Sequence, residues 1–189
     1  MRIITNAAKL LLLIFAISAS NAYGQDGRLN IDHLDRLAGA ATELIDVTVD
    51  QNLLQLASKF LRPERSADEA LIKEIVNDLK GVYVKRLVFG REGEFSDSDI
   101  DSVRSQLGTP GWMKIVNVRS RKKNVRNLDV YLMSEGAVVK GLAVILIEPT
   151  AFTVVNVVGP IDLEKLSKLE GRFGIPKLDL VRGETPENQ

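Results

Sequence analysis

The sequence predicts an α+β domain, with helices packed on a mostly antiparallel sheet of about five or six strands. Three observations predict it. Helix-spaced apolar residues with N-cap signals recur through the first half of the chain. Runs rich in Val, Ile and Leu fill the second half, and the short links between them join antiparallel neighbours as a meander. A short apolar run behind basic residues opens the chain and reads as an export leader, not as part of the fold.

The leader is residues 1–24, MRIITNAAKLLLLIFAISASNAYG. Arg2 and Lys9 form a positive start with no acid. Leu10 to Ile17 is unbroken apolar sequence, too short to cross the ~30 Å hydrocarbon core as a helix. Ser20 and Ala22, or Ala22 and Gly24, fit the small-residue rule for cleavage, so processing is expected after Ala22 or Gly24. The competing reading, a buried N-terminal core helix, explains neither the charge layout nor the small residues. No cysteine follows the apolar run, so a lipid anchor is excluded, and no later segment is apolar enough to span a membrane. The mature chain is expected to be exported, periplasmic or secreted, with no transmembrane anchor.

A single domain is expected over residues 25–180, followed by a disordered polar tail, 181–189. Asn30 to Ala41 has helical spacing through Ile31, Leu34, Leu37 and Ala38, with Asn30 as cap. Ile45, Val47 and Val49 alternate with Asp46, Thr48 and Asp50, a short strand with one polar face, near an edge. Asp50 caps a helix whose stripe is Leu53, Leu54, Leu56, Ala57, Phe60 and Leu61, and Pro63 stops it. Ser66 and Glu69 form a capping box ahead of Leu71, Ile72, Ile75, Val76 and Leu79, with Gly81 expected as the C′ residue. Val82–Phe89 is a strand. Ser96 caps a third helix, with Asp97 and Asp99 at its positive end and Ile100, Val103 and Leu107 on its buried side.

The remaining strands are expected at 113–119, 126–133, 137–147 and 152–158, the last closed by Gly159-Pro160. Residues 137–147 are apolar at both parities, so this strand should be central and both its faces should want cover. If helices cover one face only, the N-terminal helix or a partner must shield the other. A final helix starts at Asp162 or Gly159, carries Leu163, Leu166 and Leu169 and ends at Gly171.

Composition excludes several functions. The 189 residues hold 25 basic and 25 acidic side chains, no cysteine and one histidine. Disulfides, thiolate metal sites and Cys nucleophiles are ruled out. Zero net charge argues against nucleic-acid binding. Residues 1–24 carry two of the basic residues and no acid, so the mature chain is slightly acidic. An exported chain without cysteine must be held by its core alone.

Few residues suggest chemistry. Asp97, Asp99 and Asp101 begin like a calcium loop, but its sixth position is Ser102 and its twelfth is Gly108, so an acidic first helical turn is the simpler reading. Arg119, Arg121, Lys122, Lys123 and Arg126 lie between two strands, either a solvated hairpin tip or a contact for anionic lipid or glycan. His33 has no evident serine partner and no G-x-S-x-G elbow, and reads as a surface residue. Gly159-Pro160 and Phe173–Pro176 read as turn chemistry, and Trp112 as a core or edge anchor.

Three segments carry a family resemblance: DVTVDQNLLQLASKFL at 46–61, Gly141-Leu142-Ala143 leading to Glu148-Pro149, and VVNVVGPIDLEKLSKLEGRFGIPKL at 154–178. They resemble a bacterial exported family known as domain of unknown function 4252, over roughly residues 28–178. The resemblance implies a signal sequence and an α+β domain. It also implies a link to envelope-stress signalling, since some members neighbour extracytoplasmic sigma factor genes. It carries over no catalytic residue.

The leading expectation is a non-enzymatic exported domain that binds a protein partner in the cell envelope, with self-association open. No catalytic, cofactor or metal residue is assigned. One alternative is a hydrolase using carboxylates such as Asp129 or Glu148. Another is a small-ligand or lipid carrier with a cavity under the sheet.

Overall fold

The computed structural model describes residues 27–119 and 127–168. The predicted leader, Arg121, Lys122, Lys123 and Arg126, the Phe173–Pro176 turn, the helix end at Gly171 and the polar tail lie outside the described residues. The strands are β1 (Ala41–Asp50), β2 (Gly81–Phe89), β3 (Trp112–Val118), β4 (Asn127–Glu135), β5 (Val138–Glu148) and β6 (Ala151–Ile161). Helices α1 (Gln51–Ser58) and α2 (Ala67–Asp78) join β1 to β2, α3 (Asp97–Arg104) lies between β2 and β3, and α4 (Leu163–Ser167) follows β6. The fold class is as predicted, α+β with one antiparallel sheet. Its six strands run in the order β1-β2-β6-β5-β4-β3. The predicted meander is β3 to β6, and β2 docks on β6. As its two-parity pattern requires, β5 is interior, and β1 lies at an edge.

Helix starts follow the cap signals. Asp50 accepts the Leu53 N–H at 2.9 Å, and Ser66 accepts the Glu69 N–H at 3.1 Å. Only half of that second box closes, because Glu69 turns instead to the Arg62 N–H at 2.7 Å. At Ser96 the return bond forms, its N–H donating to Asp99 at 2.7 Å. Asp162 caps α4, accepting from Glu164 and Lys165 N–H at 3.0 and 3.1 Å.

Three expectations are corrected. The segment after Asn30 is a short 3-10 helix, Asp32–Leu37, and Ala41 already belongs to β1. Gly39 weakens a longer helix, and pairing of Ala41 with Phe89 draws the chain into the sheet. Gly81 is not a C′ residue: α2 ends on an extended Leu79, and Gly81 is the first residue of β2. A Cβ there would meet the Tyr83 ring within 2.9 Å, so a side chain at this position would have to displace that ring. Finally, Gly159-Pro160 does not end β6, which continues to Ile161. Gly159 has φ +127°, and a Cβ on it would lie 2.7 Å from the Lys80 nitrogen, so the bulge needs glycine.

The main core lies on one side of the sheet, the inner face. Leu87, Phe152, Val154 and Ile145 point into it and meet Leu29, Ile31 and Leu34 from the N-terminal segment, Ile100 and Val103 from α3, and Leu107. Phe95 bridges Phe89 and Phe152 at ring distances of 5.3 and 5.8 Å. Trp112 packs at the margin of this core, as an edge anchor. On the opposite, open face a smaller core forms at one end only, where Leu54, Leu79 and Ile161 cover Val49, Val82, Val157 and Leu142.

Candidate functional site

Strand register places one residue type across the whole open face. Val47 pairs with Val84, Val84 with Val155, Val155 with Val144, Val144 with Val130, and Val130 with Val116. A row of valines therefore crosses all six strands. None of them belongs to either buried cluster: Val47 is exposed and the other five are half-buried. The next row is Ile45, Arg86, Thr153, Leu146, Leu128 and Val118. Its one charge, Arg86, is neutralised on the same face by Glu148 at 2.9 Å. The helix-covered cluster on this face includes no residue of either row.

A water-facing side of an antiparallel sheet ordinarily alternates to polar residues. Here both faces are apolar and one is only half covered. Completing the burial of the valine row is worth on the order of 5 kcal/mol in gross transfer free energy. Such an apolar surface, flanked by a neutral ion pair, suits contact with another macromolecule.

The alternation in β1 is turned the other way from a solvated strand. Asp46 and Thr48 point to the inner face, opposite Lys85 and Tyr83, and Ile45, Val47 and Val49 point to the open face. The reason is Lys85, which is 2% exposed and is held by Asp35 and by Asp46, the latter at 3.0 Å. Burial opposes its charge, but these bonds outweigh it and raise its pKa above the ordinary lysine value. Beside this cluster, Arg28 stacks 4.5 Å over the Tyr83 ring.

Asp129 is fully buried on the inner face of β4. It accepts from Arg104 at 2.9 Å, from Arg119 at 2.7 Å and from Asn117 at 2.6 Å, with the Lys114 ammonium 3.5 Å away. Burial favours its neutral form, and the Arg119 and Arg104 bonds overcome that and lower its pKa. Arg119 is thus turned back onto the sheet instead of pointing out from a hairpin tip. Asp129 and Glu148 do not converge: Asp129 pairs with Ile145 on the inner face, whereas Glu148 shares the open face with Val144 and Leu146. The carboxylate pair that a hydrolase would need is not brought together by these two residues.

His33 does have a serine partner, which its distant position in the sequence hid. Its Nε2 lies 2.6 Å from Ser102 Oγ. That hydroxyl lies 2.5 Å from the Asp99 carbonyl and donates its single proton there. The imidazole is then the donor to serine, the reverse of a base activating a nucleophile. Asp99 is committed to Ser96 and Arg36, and Asp101 lies 3.3 Å from Arg104. Burial works against the charged Asp99, and the Ser96 bonds and Arg36 lower its pKa nonetheless. Of the calcium-like run, Asp99 is thus taken up by bonds within the fold and Asp101 by its neighbour Arg104.

The space under the sheet, where a carrier would hold its ligand, is filled by Phe152, Leu34, Leu87 and Ile145. Elsewhere, a surface groove of about 550 Å³ runs past Val138, Val139, Pro160, Ile161 and Leu163. Among the described residues, no helix is long and apolar enough to cross a membrane.

A family model described as domain of unknown function (DUF4252) matches residues 40–169, and the chain belongs to that family. No curated protein and no solved structure matches it. The match starts after Leu29, Ile31 and Leu34, so the segment that closes the inner core lies ahead of it.

Proposed function

We propose that this member of the family is an exported, non-enzymatic interaction module of the cell envelope, engaging a protein partner through its open sheet face. The observation that carries this reading is the half-exposed valine row across all six strands, with no polar alternation to explain it as a solvated surface. Export is supported by residues 1–24, whose charge, apolar run and small-residue end match a cleaved leader. The family resemblance supports envelope-stress signalling as the process served.

Two measurements test this. Cell fractionation with intact-mass analysis should find the chain outside the cytoplasm, starting after Ala22 or Gly24; a cytoplasmic chain of full mass overturns export. Capture from envelope extracts should recover a protein with the wild type and lose it with Val84→Lys, while both fold alike by circular dichroism. Capture unchanged by Val84→Lys overturns the open face as the binding surface.

A further inference from the structure

We infer that the open face binds the same face of a second copy of this chain, sheet against sheet. This rests on the reading of that face as an interaction surface and names its occupant. Four features argue for it.

First, the row is self-complementary. In a two-fold pair a surface must match itself. With the axis between the sheets and along the valine row, each strand faces its counterpart in the other copy, and the helix-covered end of one sheet lies over the open end of the other. Valine then meets valine across the interface, because every strand contributes one at the same level.

Second, the charge pattern permits it. The valine row has no charged residue, and the row beside it has only Arg86, already paired with Glu148 on the same face. Closing the pair strands no unpartnered charge.

Third, the edges disfavour the competing mode of association. Both edge strands carry register breaks, between Ala41 and Glu43 in β1 and between Lys114 and Val116 in β3. Bulges of this kind block edge-to-edge extension of a sheet and leave its face as the surface that can associate.

Fourth, the area suits a reversible pair. Two rows about 7 Å apart on strands about 4.8 Å apart give roughly 400 Å² per copy, or about 800 Å² in total, below the ~1,200 Å² at which stable interfaces begin and in the range of weak, transient pairs. The pair should dissociate on dilution.

The test uses the protein expressed from its full sequence and purified. Sedimentation equilibrium should show the mass rising from one copy to two with concentration. Val144→Lys should stay at one copy throughout. Because the chain has no cysteine, Val144→Cys provides a single thiol. Its reaction with iodoacetamide should slow several-fold as concentration rises, while that of Asp101→Cys, on α3 over the other face, should not. If Val144→Lys fails to fold, the thiol protection decides alone. A wild type of one copy at every concentration, a pair that Val144→Lys leaves intact, or concentration-independent thiol reactivity overturns the inference. Protection at all concentrations that is lost on deleting residues 169–189 assigns the face to the chain's own C-terminal segment and also overturns it. Single-copy behaviour combined with Val84→Lys-sensitive capture overturns only the second copy; loss of both overturns the interaction surface as well.

Discussion

The carboxamide of Asn156 ties Leu29 to the inner face of the sheet. Its oxygen accepts the Leu29 N–H at 2.9 Å, and its nitrogen donates to the Gly27 carbonyl at 3.0 Å and to the Leu142 carbonyl at 3.3 Å. Asn156 is fully buried in β6, so one side chain satisfies two backbone groups of the N-terminal segment that water cannot reach. Gly27 fits there with φ +79° against Gly141, where any side chain would crowd Met133 and the Lys140 carbonyl. Leu29, Ile31 and Leu34 are thereby led onto the inner core.

Replacing Asn156 with Leu keeps the volume and removes both partners. The Leu29 N–H and Gly27 carbonyl are then buried without hydrogen bonds, at about 1–3 kcal/mol each. Urea unfolding should show a loss of about 2–6 kcal/mol, and amide exchange at Leu29 should accelerate before that of the β5–β6 ladder. Unchanged exchange at Leu29 would refute the strap.

Acid should act through Asp129. Its pKa is lowered in the folded state by Arg119 and Arg104, so its contribution is present above the unfolded carboxylate value of about 4 and fades as pH falls through the folded value. Asp129→Asn should cost about 2 kcal/mol or more near neutrality by leaving both guanidinium groups without their carboxylate. Stability followed against pH should lose part of its decline below about pH 4 in this variant.

Lys85 predicts the opposite pH limb. Its folded pKa is raised, so its contribution is complete below the unfolded lysine value of about 10.4 and is lost as pH rises through the folded one. Lys85→Met should flatten the alkaline decline. Near neutrality the change should be mild, because Asp35 and Asp46 are 60% and 43% exposed and can be hydrated once released. Thermal melts of both proteins from pH 7 to 11 check this; parallel curves would contradict it.

Two glycines should respond differently to alanine. At Gly159 the backbone conformation and the Lys80 contact both oppose a Cβ, and Gly159→Ala should cost more than about 1 kcal/mol. At Gly39 nothing lies within 4 Å of an added Cβ, and Gly39→Ala should leave the Tm nearly unchanged. Differential scanning calorimetry separates the two.

Local signals translated into local structure. Asp50, Ser66 and Ser96 start their helices through a side-chain to backbone bond that spans only three residues. The mixed parity of residues 137–147 marked an interior strand, since a strand covered on both sides needs apolar residues on both. The failures involve distant partners. Nothing near His33 announces Ser102, and nothing near Gly81 announces that α2 ends two residues earlier. The apolar side of β1 was legible, but not which face of the sheet it joins, because that depends on Lys85 across the β1–β2 ladder.

The sequence by itself determined the fold class, the antiparallel meander, the central place of β5, the edge place of β1 and the family resemblance. The structural features follow from periodicity, caps and link lengths within short stretches of chain, and the resemblance from the segments at 46–61, 141–149 and 154–178. The tertiary structure decided the candidate site. Val47, Val84, Val116, Val130, Val144 and Val155 are scattered through the chain, each unremarkable in its own strand. Only strand register aligns them in one row, because side chains alternate with a period of two and a shift of one residue in any strand would turn its valine to the other face. The same register puts Asp129 and Glu148 on opposite sides of the sheet, so these two carboxylates do not form a pair.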